Sequence, residues 1–151
     1  MKLPQKIKED IQQEWETVNH YNGHEKAERH EKSQFYTPPS LIFKMLEEYE
    51  DTNGTLLDPS CGSGNLLAAA VIAGFDPQKC YGIELDNDIL TNVTIPRLQK
   101  LGIPAKNLHY GNALNEDCYD FEIEDYHFDP NDAENGKVTG KNVKSKFGVK
   151  M

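Results

Sequence analysis

The sequence predicts an α/β protein with a parallel sheet, and three observations support this class. A short apolar run at 55–57 leads through a glycine turn into an apolar, helix-forming segment at 66–72. A second strand pattern at 81–85 and a third at 108–110 follow, with a helical pattern at 88–100 between them. Alternating strand and helix patterns are typical of parallel strands covered by helices. At 151 residues the chain has room for one such domain.

The turn after the first strand is the most informative stretch, and it reads Asp58-Pro59-Ser60-Cys61-Gly62-Ser63-Gly64-Asn65. Gly62 and Gly64 allow a ligand to approach the backbone closely, and the start of a helix offers N–H donors to an anionic group. Glu84 follows Gly64 by twenty positions, where a dinucleotide-type βαβ unit has its ribose-hydroxyl acceptor. Leu67 replaces the third glycine of that fingerprint. This disfavours a pyrophosphate and favours a nucleoside with a small zwitterionic arm, such as S-adenosylmethionine.

Two helices are predicted before the first strand. The segment 5–32 has an apolar stripe that includes Trp15, with an interruption at Gly23. It either docks on its own domain or forms a partner or dimer helix, for which tryptophan is a typical anchor. A second helix is predicted to start at Pro38 and Pro39. Its predicted buried face consists of Leu41, Ile42, Met45 and Leu46.

Composition restricts the class of protein. The net charge of −9 argues against a global field that holds nucleic acid, so we expect the isolated chain to bind DNA weakly. Three scattered cysteines without a C-x-x-C pair indicate reduced thiols in a cytoplasmic protein. No apolar run reaches membrane-spanning length, so no membrane association is expected. Three histidines at 20–30 lack the H-E-x-x-H arrangement, and no metal site is predicted.

Four motifs in order resemble the cofactor-binding half of the N6-adenine DNA methyltransferases of restriction–modification systems and phages. They occupy 34–38, 58–65, 82–86 and 111–114, so that the resemblance covers roughly 34–114. It implies a small Rossmann-like fold that binds S-adenosylmethionine, with an N-terminal helix and a C-terminal β-hairpin. It also implies these cofactor contacts: Tyr36, Thr37, Asp58, Pro59, Ser60, Cys61, Gly62, Gly64, Asn65, Glu84, Leu85, Asn112 and Ala113.

Two of these positions have more specific expectations. The family usually has an aspartate where Asn112 stands, but an asparagine can still accept from the adenine amino group through its carbonyl oxygen. Asp58 is expected either to accept from the ligand's amino group or to hold the glycine turn. Asp86 is expected to cap the next helix rather than contact the ligand.

The resemblance weakens at the catalytic motif, (Asp/Asn)-Pro-Pro-aromatic. Asp129 and Pro130 stand at the right spacing, but Asn131 and Asp132 replace the second proline and the aromatic residue. The aromatic residue stacks on the flipped base in the family, so the chain is expected to lack independent methyl transfer. The flanking segments 126–128 and 137–139 are typical of a β-hairpin.

The predicted organisation is a helical extension at 1–33, a methyltransferase-like domain at 34–140 and a basic tail at 141–151. An uncovered sheet edge favours a homodimer or a protein partner, with Trp15 near the contact. The partner would carry the missing motif and strands. The alternative is a non-catalytic cofactor-binding or protein-interaction module, such as a phage-type modulator of restriction or methylation.

Overall fold

A computed structural model describes residues 1–18 and 37–121 of the chain. Several predicted features lie outside the described residues: Tyr36, the Gly23 interruption, the hairpin, Asp129, Pro130 and the basic tail.

A three-stranded parallel sheet forms the centre of the described part of the chain. Its strands are β1 (Leu56–Asp58), β2 (Cys80–Glu84) and β3 (Leu108–Tyr110), in the order β1-β2-β3. Leu57 pairs with Tyr81, and Ile83 pairs with His109. The predicted α/β class is confirmed, and each strand lies within one residue of its predicted position.

The helices are α1 (Gln5–Thr17), α2 (Pro39–Glu47), α3 (Asn65–Ala73), α4 (Asn87–Ile89), a π-helical turn (Leu90–Thr94) and α5 (Ile95–Lys100). The predicted single helix at 88–100 is thus divided in three. Pro96 lies in α5 directly after the π-helical turn, so its missing N–H removes a helical hydrogen bond where the helix already departs from α geometry. Asp86 caps α4 as predicted, because its Oδ1 accepts from the N–H groups of Asp88 and Ile89.

Side chains of β2 alternate between two cores, as the twofold period of a strand requires. Cys80 faces the larger core, which contains buried residues of α1, α2, α3 and α5. Tyr81 and Ile83 face the other side, where Tyr119 and Phe121 cover them. The Phe121 ring packs edge-on against Tyr81 at 5.1 Å and stacks on His109 at 3.9 Å.

Helix α1 docks on its own domain, which was the first of its two predicted interpretations. It contacts α3 and α2, and its Ile11 is buried in the larger core. The indole N–H of Trp15 donates to the carbonyl of Thr37 at 3.1 Å. The described helices include none that is long and apolar enough to cross a membrane.

The predicted buried face of α2 is wrong for two of its four residues. Ile42 and Leu46 are fully buried, whereas Leu41 and Met45 are 47% and 39% exposed. The helix is apolar on more than one side, and among the described elements its main contacts are with α1 and α3. Hydrophobic spacing alone could not identify that side.

Candidate functional site

The glycine turn lies at the carboxyl end of β1 and leads into α3. The N–H of Cys61 donates to the carbonyl of Ile83 at 2.9 Å, which extends the pairing of β1 with β2. The N–H of Gly64 then donates to the carbonyl of Cys61 at 2.8 Å and closes the turn. Gly62 and Gly64 have φ angles of 55° and 95°, a region that side chains strongly disfavour. The sequence therefore needs glycine at both positions to place the start of α3 beside the strand ends.

Glu84, at the end of β2, holds this turn directly. Its buried carboxylate accepts from the N–H of Gly62 at 3.0 Å through Oε1 and from the N–H of Asp86 at 2.6 Å through Oε2. A carboxylate has about four acceptor sites, so lone pairs remain for hydroxyl donors of a ligand. The acid that the spacing singled out thus joins the glycine turn to the carboxyl end of β2.

Asp58 holds the first half of the same turn. Its Oδ1 accepts from the N–H of Ser60 at 3.1 Å, which is the second of its two predicted roles. Burial raises the pKa of the Asp58 carboxyl above its ordinary value. The hydrogen bond from Ser60 opposes this change, and the negative charge of Glu84 adds to it.

Leu67 replaces the third glycine of the dinucleotide fingerprint, and Gly82 in the neighbouring strand β2 provides the space for its side chain. A Cβ at Gly82 of β2 would lie 2.9 Å from Leu67 Cδ1 and 3.0 Å from Cys61 Sγ. Gly82 therefore makes room for the leucine that replaces the fingerprint glycine in α3. Burial of Cys61 also raises the pKa of its thiol, so the thiol stays neutral at the turn.

Two buried side chains from the helical segment after β2 hold the turn from the side that faces this segment, and the sequence did not single out either. Thr94, in the π-helical turn, donates from its hydroxyl to the carbonyl of Gly62 at 2.6 Å. Arg97, in α5, donates to the carbonyl of Ser63 at 3.1 Å and to Oδ1 of Asn65 at 2.7 Å. Both residues are buried. A polar residue on an otherwise apolar helix side is the only signal that could have suggested them.

The loop after β3 lies next to the end of β2, because the N–H of Gly111 donates to the carbonyl of Glu84 at 2.9 Å. Asn112 is exposed, and its Oδ1 accepts from the N–H of Leu114 at 2.9 Å. The carbonyl of Ala113 accepts from the Tyr119 hydroxyl at 2.8 Å. The structure thus places Asn112 and Ala113 in a fixed loop beside Glu84.

Large apolar side chains are exposed around these strand ends. Leu85, Tyr110 and Leu114 are 66%, 62% and 72% exposed. Tyr110 pairs with Glu84 across the sheet, and Leu85 follows Glu84 directly. An exposed apolar surface next to a buried carboxylate suits a flat apolar group that carries hydroxyls.

The remaining predicted contacts are less closely tied to this edge. Pro59 and Ser60 are exposed on the outer part of the turn. Thr37 precedes α2 and uses its carbonyl to accept from Trp15. Within 1–18 and 37–121, no group of His, Cys, Asp or Glu side chains could hold a metal ion.

A glycine turn, a buried acid and a third loop at the carboxyl ends of adjacent parallel strands are the arrangement by which open α/β sheets bind ligands. The described part of the chain therefore has an α/β architecture with polar residues gathered at the carboxyl edge of its sheet. The family model for N-6 DNA methylase matches residues 12–120, and the chain belongs to this family. The resemblance that the four motifs indicated is thereby confirmed.

One curated relative is the Type II methyltransferase M.VspI from Vibrio sp. (strain 343). It is 32% identical over 91 residues, which are 58% of this chain and 22% of the relative. The chain thus spans about a fifth of the length of the curated relative it matches. No solved structure matches the chain.

Proposed function

We propose that this chain binds S-adenosylmethionine as the cofactor domain of an N6-adenine DNA methyltransferase, at the carboxyl edge of its sheet. The hydrogen bond between Glu84 and the N–H of Gly62 carries the proposal, because it joins the glycine turn and the acid into one site. The strand order β1-β2-β3 is also that of one half of a doubly wound Rossmann-like sheet, which we assign to this domain.

The chemistry of the donor set fits this cofactor. Glu84 retains lone pairs for the two ribose hydroxyls. Leu85 and Tyr110 offer exposed apolar surface for the faces of an adenine ring. The N–H groups of the first turn of α3 have no intrahelical acceptor, so they suit the cofactor's carboxylate. When bound, S-adenosylmethionine supplies an electrophilic methyl group.

The protein's own residues would bind and orient the cofactor. Asn112 lies in the fixed loop beside Glu84, and its carbonyl oxygen has a second lone pair for the adenine amino group. Asp58 would act through the turn, because its Oδ1 holds the N–H of Ser60. Binding would depend on the shape of the turn as much as on side-chain contacts.

We further propose that the chain alone does not transfer the methyl group. Asp132 stands where the family has an aromatic residue, and a carboxylate cannot stack on a flipped base. Transfer requires that base to lie in line with the methyl group. A partner protein that supplies the Pro-Pro-aromatic motif would complete the reaction, whereas a homodimer would carry the same Asn131 and Asp132 in both copies. The three free thiols fit a reducing compartment, and we assign the protein to the cytoplasm.

Calorimetry with S-adenosylhomocysteine, the demethylated product, tests binding. Wild-type protein should bind, and Glu84→Ala should weaken binding by about 1.5–3 kcal/mol, the scale of a hydrogen bond to a charged group. Glu16→Ala, at an exposed glutamate of α1, should bind like wild type. Folded wild-type protein that releases or takes up no heat with the ligand would refute the proposal.

Transfer of a labelled methyl group to unmethylated DNA tests the second part. We expect no incorporation with the purified chain. Incorporation that Asp129→Ala abolishes would establish that Asp129-Pro130-Asn131-Asp132 is a working catalytic motif.

A further inference from the structure

We infer that the N-terminal helix α1 sets the shape of the glycine turn through Glu14 and Arg97, which act as positioning residues for cofactor binding. The expected effect on cofactor affinity rests on the proposed function. The effect on the shape of the turn is a property of the free protein and can be measured without a ligand.

Arg97 joins three parts of the chain that are far apart in sequence. Its Nε and Nη2 donate to the two carboxylate oxygens of Glu14 in α1, at 2.8 and 2.6 Å. Its Nη1 donates to the carbonyl of Ser63 at 3.1 Å and to Oδ1 of Asn65 at 2.7 Å. The guanidinium thus spans from the N-terminal helix to the turn that we assign to the cofactor.

The geometry of the guanidinium couples its two sets of contacts. It is planar, so a two-bond contact with Glu14 fixes its plane and thereby the direction of Nη1. The Arg97 side chain is only 7% exposed and that of Glu14 is 19% exposed. A buried arginine cannot exchange a lost carboxylate freely for water. If Glu14 moves with α1, Arg97 must therefore move too or remain buried without its counter-ion.

Arg97 contacts the turn on both sides of its most restricted residue, Gly64. Ser63 and Asn65 flank Gly64, whose φ of 95° sets the direction in which α3 begins. Thr94 holds the carbonyl of Gly62 from the same helical segment. These contacts hold oxygen atoms of the turn on the side that faces α5. The N–H groups of the first turn of α3 form the opposite side of the turn. The orientation of those N–H groups follows from where Arg97 lies.

A purely structural role for the Glu14–Arg97 pair makes a different prediction from a positioning role. Coupling between two sites is reciprocal, so a ligand whose affinity depends on α1 must in turn stabilise α1. With a purely structural pair, a ligand would slow exchange in α1 only by stabilising the folded protein as a whole, and it would do so in Glu14→Gln as well as in the wild type. Amide hydrogen exchange of residues 5–17, with and without S-adenosylhomocysteine, separates the two roles.

The test compares Glu14→Gln with Glu16→Gln, which makes the same change at an exposed position two residues along α1. The glutamine at 14 keeps one acceptor but turns an amide donor toward Arg97. We expect about tenfold weaker binding of S-adenosylhomocysteine, within the 5- to 150-fold range typical of coupled sites. We also expect the ligand to slow exchange in α1 of the wild type and of Glu16→Gln, but not of Glu14→Gln.

Affinity of Glu14→Gln equal to that of the wild type, or exchange in α1 that the ligand leaves unchanged in the wild type, would overturn the inference. If Glu14→Gln does not fold, Arg97→Lys replaces it. That variant keeps the charge but loses the planar fork, and it should show the same two losses.

If the wild type binds no ligand, the proposed function fails, and exchange at residues 62–65 of the free protein decides the positioning role. Faster exchange there in Glu14→Gln than in Glu16→Gln supports it. Equal exchange in the two variants refutes it.

Discussion

Replacing Glu84 with alanine should destabilise the protein even when no ligand is present. The carboxylate accepts from two backbone N–H groups, those of Gly62 and Asp86, and it is buried. Each hydrogen bond to a charged group contributes about 1.5–3 kcal/mol. Because the site lies at the edge of the sheet, water can reach the freed N–H groups, and we expect a loss of about 3 kcal/mol. That is a large part of a typical stability of about 5–15 kcal/mol.

Urea unfolding, followed by fluorescence of the single tryptophan, measures this loss. Trp15 packs on the larger core, so it reports on unfolding of the domain. Glu84→Gln should lose about half as much, since it keeps one acceptor oxygen and similar volume. The control Glu16→Ala should stay within about 0.5 kcal/mol of wild type. A Glu84→Ala variant as stable as this control would refute the view that the carboxylate holds the turn.

Two further substitutions test the packing and the charge of the turn. Gly82→Ala should cost about 1–3 kcal/mol, the scale of overpacking, because its Cβ would meet Leu67. Adding Leu67→Ala should cost less in the Gly82→Ala background than in wild type, and additive losses in urea unfolding would contradict this contact. Asp58→Asn should stabilise the protein at neutral pH, because the folded-state pKa of Asp58 is raised and its ionisation opposes folding. The gain should disappear as the pH falls below the ordinary pKa of 3.8, and a gain that persists there in pH-dependent unfolding would argue against this origin.

The sequence predicted those parts of the fold that depend on local patterns. Short apolar runs gave the three strands, and the offset of Glu84 from Gly64 placed the acid at the end of β2. The π-helical turn was not predicted, because the apolar spacing of 88–100 is also compatible with a regular helix. The exposure of Leu41 and Met45 was missed because it depends on which helices lie beside α2.

The predicted cofactor contacts remain predictions, and the structure adds contacts among them that the sequence did not indicate. Spacing predicted that Glu84 accepts from a ligand, and the structure adds that its carboxylate holds the glycine turn. Arg97 and Glu14 are separated by 83 positions, and no local pattern connects them. The contact forms because α1 packs on α3 and thereby brings Glu14 within reach of Arg97, and a single sequence does not indicate such a long-range arrangement.

The π-helical turn at Leu90–Thr94 also bears on how this chain tolerates changes in length. A π turn holds one residue more than an α-helical turn, and each helical residue rotates the chain by about 100°. Deleting one residue there would convert the π turn into an α turn and keep Arg97 facing the glycine turn, whereas deleting Ile95 or Pro96 would rotate Arg97 by about 100° away from it. The helix end would face a new direction while most of its apolar surface could still repack. The number of residues between the π-helical turn and Arg97 therefore determines whether Arg97 can reach both Glu14 of α1 and the glycine turn.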